Sequence, residues 1–140
     1  EWIKFFNEKQ KNNLEKIKNI LNDFKGEILQ KPPRFSAIKV NGKRAYDLAR
    51  EGKKFLLKSR KVYLKTIKLI DNINDYNKKN LSNFEIECGK GFYVRALVRD
   101  ICKKLNVDGH TVKLKRIESK PFKIENSVTI DNFLYLYIKL

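Results

Sequence analysis

The stretch "CGKGFYVRALVRDICKKL", Cys88 to Leu105, decides how this chain folds. Within it Val94, Leu97, Val98, Ile101, Cys102 and Leu105 recur at three- and four-residue spacing, which predicts an amphipathic helix over Phe92 to Leu105. Immediately upstream, Leu81 to Cys88 alternates apolar and polar residues, with Phe84, Ile86 and Cys88 on one face, which predicts a strand. Two glycines, Gly89 and Gly91, then allow a tight strand-to-helix turn. The Gly-Lys-Gly is not a P-loop, because Lys90 is followed by Gly91 and Phe92 instead of Ser or Thr. A dinucleotide fingerprint fails as well. Arg95 falls in the first helical turn, where a cation meets the positive end of the helix dipole. That placement is unfavourable unless an anion compensates, and a guanidinium binds a carboxylate or a phosphate equally well as a fork.

Outward from this motif the same patterns continue. Val62 to Ile70 reads as a second strand, paired with Leu81–Cys88 as an antiparallel hairpin around the polar "NINDYNKKN" turn. Lys11 to Phe24 reads as a helix with Leu14, Ile17, Leu21 and Phe24 on one side and Gly26 as its stop. Pro32-Pro33 interrupts regular structure. "RFSAIKVNGKR" gives short extended pieces around an Asn41-Gly42 turn, and "RAYDLAREG" a short helix ending at Gly52. Asp108-Gly109 turns the chain into a strand expected over Thr111 to Ser119, and a last helix is expected from Thr129 or Asp131 to Leu140. The fold class is therefore α+β, a mostly antiparallel sheet with packed helices.

With 140 residues, 41% hydrophobic and 34% charged, the chain is long enough for one globular domain with a real core. No apolar run is long enough to span a membrane, and no signal peptide is visible after Glu1. The two cysteines lie in apolar settings without a CxxC pair or clustered histidines. They read as core thiols in a reducing, cytoplasmic compartment, and no metal site is expected.

The formal net charge is +16, from 32 Lys+Arg against 16 Asp+Glu. Lysine enrichment of this kind also arises from AT-rich coding bias, but the distribution argues for a polyanionic partner. Between Lys31 and Lys68 there are thirteen basic residues against only Asp47 and Glu51. The chain opens on Glu1 and contains no methionine, so a portion of a longer protein is expected.

Two of these stretches, "QKPPRFSAIKVNGKRAYDLAREG" (Gln30 to Gly52) and "CGKGFYVRALVRDICKKL", followed in the same order by "GHTVKLKRIESKPF" (Gly109 to Phe122), resemble the TruB family of tRNA pseudouridine synthases. The departures from the family pattern are modest: Gly89, Phe92, Ala96, Cys102 and Lys115 stand where other residues are usual. The resemblance implies a pseudouridine-synthase-like fold, of which residues 1–140 are the C-terminal portion of the catalytic domain. It also implies a basic RNA-binding insertion at about residues 33–61.

The implied reaction isomerises the T-loop uridine-55 of tRNA to pseudouridine on a flipped base, without cofactor or metal, in an enzyme expected to be a monomer. Arg95 matches the arginine that pairs with the nucleophilic aspartate, and Tyr93 lines the pocket beside it. Leu114 packs near the flipped base, although a plain core leucine fits its pattern equally well. Lys90, Lys39, Lys43, Arg44 and Arg50 fall among the RNA-binding positions, and Phe35 and Tyr46 either stack on nucleotides or anchor the insertion.

The aspartate motif itself, a Leu-Asp-Pro-type stretch expected upstream, is not in the chain. Asp47 and Asp100 belong to other motifs and are not promoted to its role. The alternative reading is a non-catalytic RNA-binding module derived from the same family. A DNA-binding domain would leave all three motifs unexplained.

Overall fold

The structure is a computed structural model, and it describes residues 2–5, 13–70 and 81–132. In chain order the elements are β1 (Trp2–Phe5), α1 (Asn13–Leu21), a 3-10 turn (Asn22–Phe24), β2 (Gly26–Gln30), β3 (Lys39–Val40), β4 (Lys43–Arg44) and α2 (Ala45–Arg50). There follow β5 (Arg60–Ile70), β6 (Leu81–Cys88), α3 (Val94–Leu105), β7 (Gly109–Lys113), β8 (Glu118–Ser119) and β9 (Phe122–Lys123), with a second 3-10 turn at Ile124–Asn126. Five strands form one sheet in the order β2-β5-β6-β1-β7. Every pairing in it is antiparallel. The α+β class expected from the sequence is the one observed.

The hairpin β5–β6 is the spine of the sheet. Its ladder runs from Leu64 opposite Cys88 to Ile70 opposite Asn83, with a register shift between Leu64 and Thr66. The shift leaves Lys65 as an extra residue and changes which side chains face inward. Val62 and Leu64 are buried before it; Ile67 is buried and Leu69 half-buried after it. A strict two-residue alternation through β5 would have turned Ile67 out to solvent.

Helices α1 and α3 cover one face of this sheet. Ile17 and Leu21 from α1 meet Leu97, Val98, Ile101 and Cys102 from α3 over Leu64, Ile67 and Phe84 of the spine. These α3 residues are the ones the periodicity picks out. Lys104 near the end of α3 pairs with Asp23 and lies over the Phe24 ring, tying the two helices at their edges. Asn106 closes α3 in the left-handed conformation at φ 54°, and the Val107 N–H returns to the Cys102 carbonyl, so the helix stops without a glycine.

Several expectations are corrected. Helix α3 starts at Val94, with Tyr93 as its cap in extended backbone, so Phe92 and Tyr93 lie outside it. The strand expected over Thr111 to Ser119 is broken: β7 ends at Lys113 and β8 is a separate two-residue piece paired with β9. Lys115-Arg116 between them has no ladder partner to keep it extended. Cys88, the last residue of β6, is exposed instead of buried, while Cys102 is buried as expected.

Strands β1 and β2 were not anticipated. Gly26, at φ 90°, reverses the chain after the 3-10 turn, and β2 then pairs with β5 at the sheet edge. Four residues suffice for β1 because β6 and β7 hold it on both sides. The "NINDYNKKN" turn lies outside the described residues. Only the first turn of the last helix, residues 130–132, lies within them; there the Thr129 hydroxyl accepts the Asn132 N–H at 3.3 Å as an N-cap.

Candidate active site and nucleic-acid interface

The site grows from the turn between β6 and α3. Gly91 takes φ 79°, a conformation that strains any side chain, and the Gly89 N–H extends the spine ladder to the Tyr63 carbonyl at 2.8 Å. The chain then delivers Tyr93 and Arg95 to the start of α3.

What holds them there is a residue 63 positions away. The Gln30 side chain, 1% exposed, donates from Nε2 to the Tyr93 carbonyl at 3.0 Å and accepts the Tyr93 N–H on Oε1 at 2.8 Å. One primary amide thus takes up the Tyr93 N–H and adds a third donor to its carbonyl, which already accepts the Ala96 and Leu97 N–H groups of α3 at 3.0 and 3.1 Å. Sequence reading placed Gln30 inside a motif but assigned it no role. No local pattern marks it, because the partner lies 63 positions away.

From this clamp the exposed face of α3 fastens the proline segment. Arg95 donates from Nη2 to the Phe35 carbonyl at 2.8 Å, and Arg99, one turn later, donates from Nη2 to the Lys31 carbonyl at 2.9 Å. Arg95 and Arg99 share one helix face by their four-residue spacing, and they meet carbonyls that are also four residues apart. The base of the basic insertion is therefore stapled to the helix carrying Arg95.

Arg95 is exposed and sits in the first turn of α3, where no acidic residue is present. Among the described residues it makes no ion pair, and the Phe35 carbonyl takes only one arm of its fork. Asp100, by contrast, is engaged by Arg99 Nε at 2.9 Å.

The insertion opens with a tight hairpin. Asn41 and Gly42 take φ 50° and 82°, the pair of positive values that a two-residue primed turn requires. The register sets Lys39 opposite Arg44 and Val40 opposite Lys43, with all three cations exposed. Like charges facing each other across a ladder cost stability. The hairpin leans on α2 through the Ala45 N–H to the Ile38 carbonyl at 2.7 Å and the Tyr46 N–H to the Ser36 carbonyl at 3.1 Å.

Of the two candidate stacking rings, Phe35 is 55% exposed. Tyr46 is half-buried and has the guanidinium carbons of Arg44 and Arg50 at 5.9 and 5.5 Å from its ring centre. Tyr46 thus organises its own cations, whereas Phe35 presents open surface beside Arg95. Lys90 is exposed in the turn before α3. Leu114 is 53% exposed in the loop after β7 and is not a core leucine in this chain.

The structure therefore brings Tyr93, Arg95 and Phe35 together, and Lys39, Lys43, Arg44, Tyr46 and Arg50 as a second group on the insertion. It shows no contact joining Lys90 or Leu114 to either group among the described residues. Nor do the described residues hold a cluster of three metal-ligating side chains, or a helix long and apolar enough to cross a membrane.

These elements define an α+β domain of pseudouridine-synthase type, and the chain belongs to the TruB family. Residues 3–94 match the family described as TruB family pseudouridylate synthase (N terminal domain). The chain is 43% identical over 122 residues to tRNA pseudouridine synthase B of Aquifex aeolicus, covering 87% of this chain and 42% of that protein. It is 48% identical over 117 residues to the protein of the same name from Bartonella tribocorum, covering 84% and 35%. It thus spans less than half the length of these relatives. In fold it is similar to a chain of a solved Cbf5-Nop10-Gar1 complex, with a TM-score of 0.70 at 24% identity over 97% of this chain and 34% of that one.

Proposed function

We propose that this chain is the C-terminal portion of the catalytic domain of a tRNA pseudouridine synthase acting on the T-loop uridine-55, with no cofactor or metal. The observation that carries the reading is Arg95: a guanidinium held by one arm on the Phe35 carbonyl at the start of α3, with no carboxylate partner among the described residues. A nucleophilic aspartate supplied from elsewhere in the enzyme completes it. Arg95 then orients that carboxylate and holds it ionised in a secluded pocket.

Tyr93 lines the same pocket on backbone fixed by Gln30. Phe35 offers its ring to a nucleotide, Leu114 covers the flipped base in the whole enzyme, and Lys90 contacts the strand near the turn. The cations of the hairpin and α2, Lys39, Lys43, Arg44 and Arg50, take up RNA phosphates. The whole enzyme acts in the cytoplasm as a monomer on the T-stem-loop.

The test is pseudouridine formation on a T-stem-loop by the full-length enzyme, read as tritium release from 5-labelled uridine. Release dependent on the target uridine supports the proposal. RNA binding without release would instead make the protein a non-catalytic binder.

A further inference from the structure

A groove of about 650 Å³ runs along the outer side of α3, between the helix and the two arms of the insertion's base. Its lining carries five cations, Lys31, Arg34, Lys54, Arg99 and Lys103, against the single carboxylate of Asp100. Leu56, 86% exposed, and the half-buried Phe55 make much of its surface apolar, over the buried Pro32 and Leu57. We propose that this groove is a second phosphate track for the RNA strand, distinct from the hairpin cations; it rests on the RNA-substrate reading above.

The stripe follows from helix geometry. Arg95, Arg99 and Lys103 lie four residues apart on one face, so each cation is about 6 Å further along the axis from the pocket. Asp100 pairs with Arg99 Nε and offsets one of the five cations, leaving four in excess. Among the described residues Lys31, Lys54 and Lys103 form no ion pair. So many like charges around one groove repel each other unless a polyanion enters.

The two arginines are oriented in advance. Arg99 is anchored on the Lys31 carbonyl, and Arg34 donates to the Lys53 carbonyl at 3.0 Å with its guanidinium 5.2 Å from the Phe55 ring centre. Their remaining N–H donors, with the unpaired lysines around them and apolar surface beside, suit phosphate next to ribose. Continuity with Arg95 selects RNA over an acidic protein segment, because a strand whose target nucleotide sits at Arg95 reaches Arg99 within one helical turn.

The experiment measures tRNA affinity of the full-length protein against salt concentration, for wild type and for Lys54→Gln/Lys103→Gln. Among the described residues the side chains of these exposed lysines make no hydrogen bond. The expected result is a Kd weakened about tenfold at low salt, and a log–log salt slope smaller by roughly one to two, as loss of two phosphate contacts requires. The charge-preserving Lys54→Arg/Lys103→Arg variant should keep the wild-type slope. An unchanged Kd and slope in the Gln variant overturns the proposal and leaves the groove to another occupant. Because the readout is binding, failure of this proposal is distinct from failure of the catalytic one, which tritium release reports.

Discussion

The side-chain amide of Gln30 closes a two-hydrogen-bond ring on the backbone of Tyr93, at 2.8 and 3.0 Å, and this contact joins the edge strand β2 to the start of α3. Removing the amide strands the Tyr93 N–H at a part-buried site, while the carbonyl keeps the Ala96 and Leu97 N–H groups. Gln30→Ala is expected to destabilise the protein by about 1–3 kcal/mol. It should also lower the turnover of the full-length enzyme more than its tRNA affinity, since Arg95 loses its mount while the cations remain. Denaturant unfolding and single-turnover kinetics check both halves. Unaltered stability would mean water replaces the amide.

Arg95 separates two chemical roles. If it orients an aspartate, Arg95→Ala in the full-length enzyme should cut turnover by about 10²–10³-fold while tRNA Kd changes only severalfold. Equal losses in both would make it a phosphate contact. Arg95→Lys keeps the charge but loses the fork, and should recover little activity.

The hairpin trades stability against charge. Lys39 faces Arg44 across the ladder, so Lys39→Thr is expected to stabilise the fold by about 0.2–1 kcal/mol. The same substitution should weaken tRNA binding and lower its salt slope. Opposite signs in the melting and binding measurements are the signature; a loss of stability would show that the pair is not repulsive.

Neither candidate acid in the chain should act as nucleophile. Asp100 is bound by Arg99, and Asp47 lies in the first turn of α2. The isolated 140 residues are expected to release no tritium, and Asp100→Asn in the full-length enzyme to keep activity within about tenfold. Turnover by the isolated chain that Asp47→Ala or Asp100→Ala abolishes would contradict this.

Burial, with a smaller contribution from the charge of Asp108, pushes the Cys102 thiol from 9.0 up to about 11. A pKa raised on folding means the protonated thiol is favoured in the native state. The associated stability is full below pH 9 and lost as pH rises through 9 to 11. The stability difference between wild type and Cys102→Ala should therefore shrink over that window. Cys102 should also resist alkylation at pH 8 until the protein unfolds.

Local pattern was enough for much of this chain. The 3.6-residue period of α3, the two-residue period of β6, the Asn41-Gly42 turn and the basic insertion all rest on contacts between near neighbours, so their residues carry the information themselves. The order of motifs was enough to expect the family and to single out Tyr93 and Arg95. Tertiary structure decided the rest. Strand β1 exists because β6 and β7 flank it, and the bulge at Lys65 appears only when β5 meets β6. Cys88 and Leu114 are exposed in this chain. The Gln30 clamp and the groove along α3 depend on residues more than sixty positions apart. A single amide or a scattered set of lysines has no period to read, and only the packed sheet brings such residues within hydrogen-bonding or electrostatic reach.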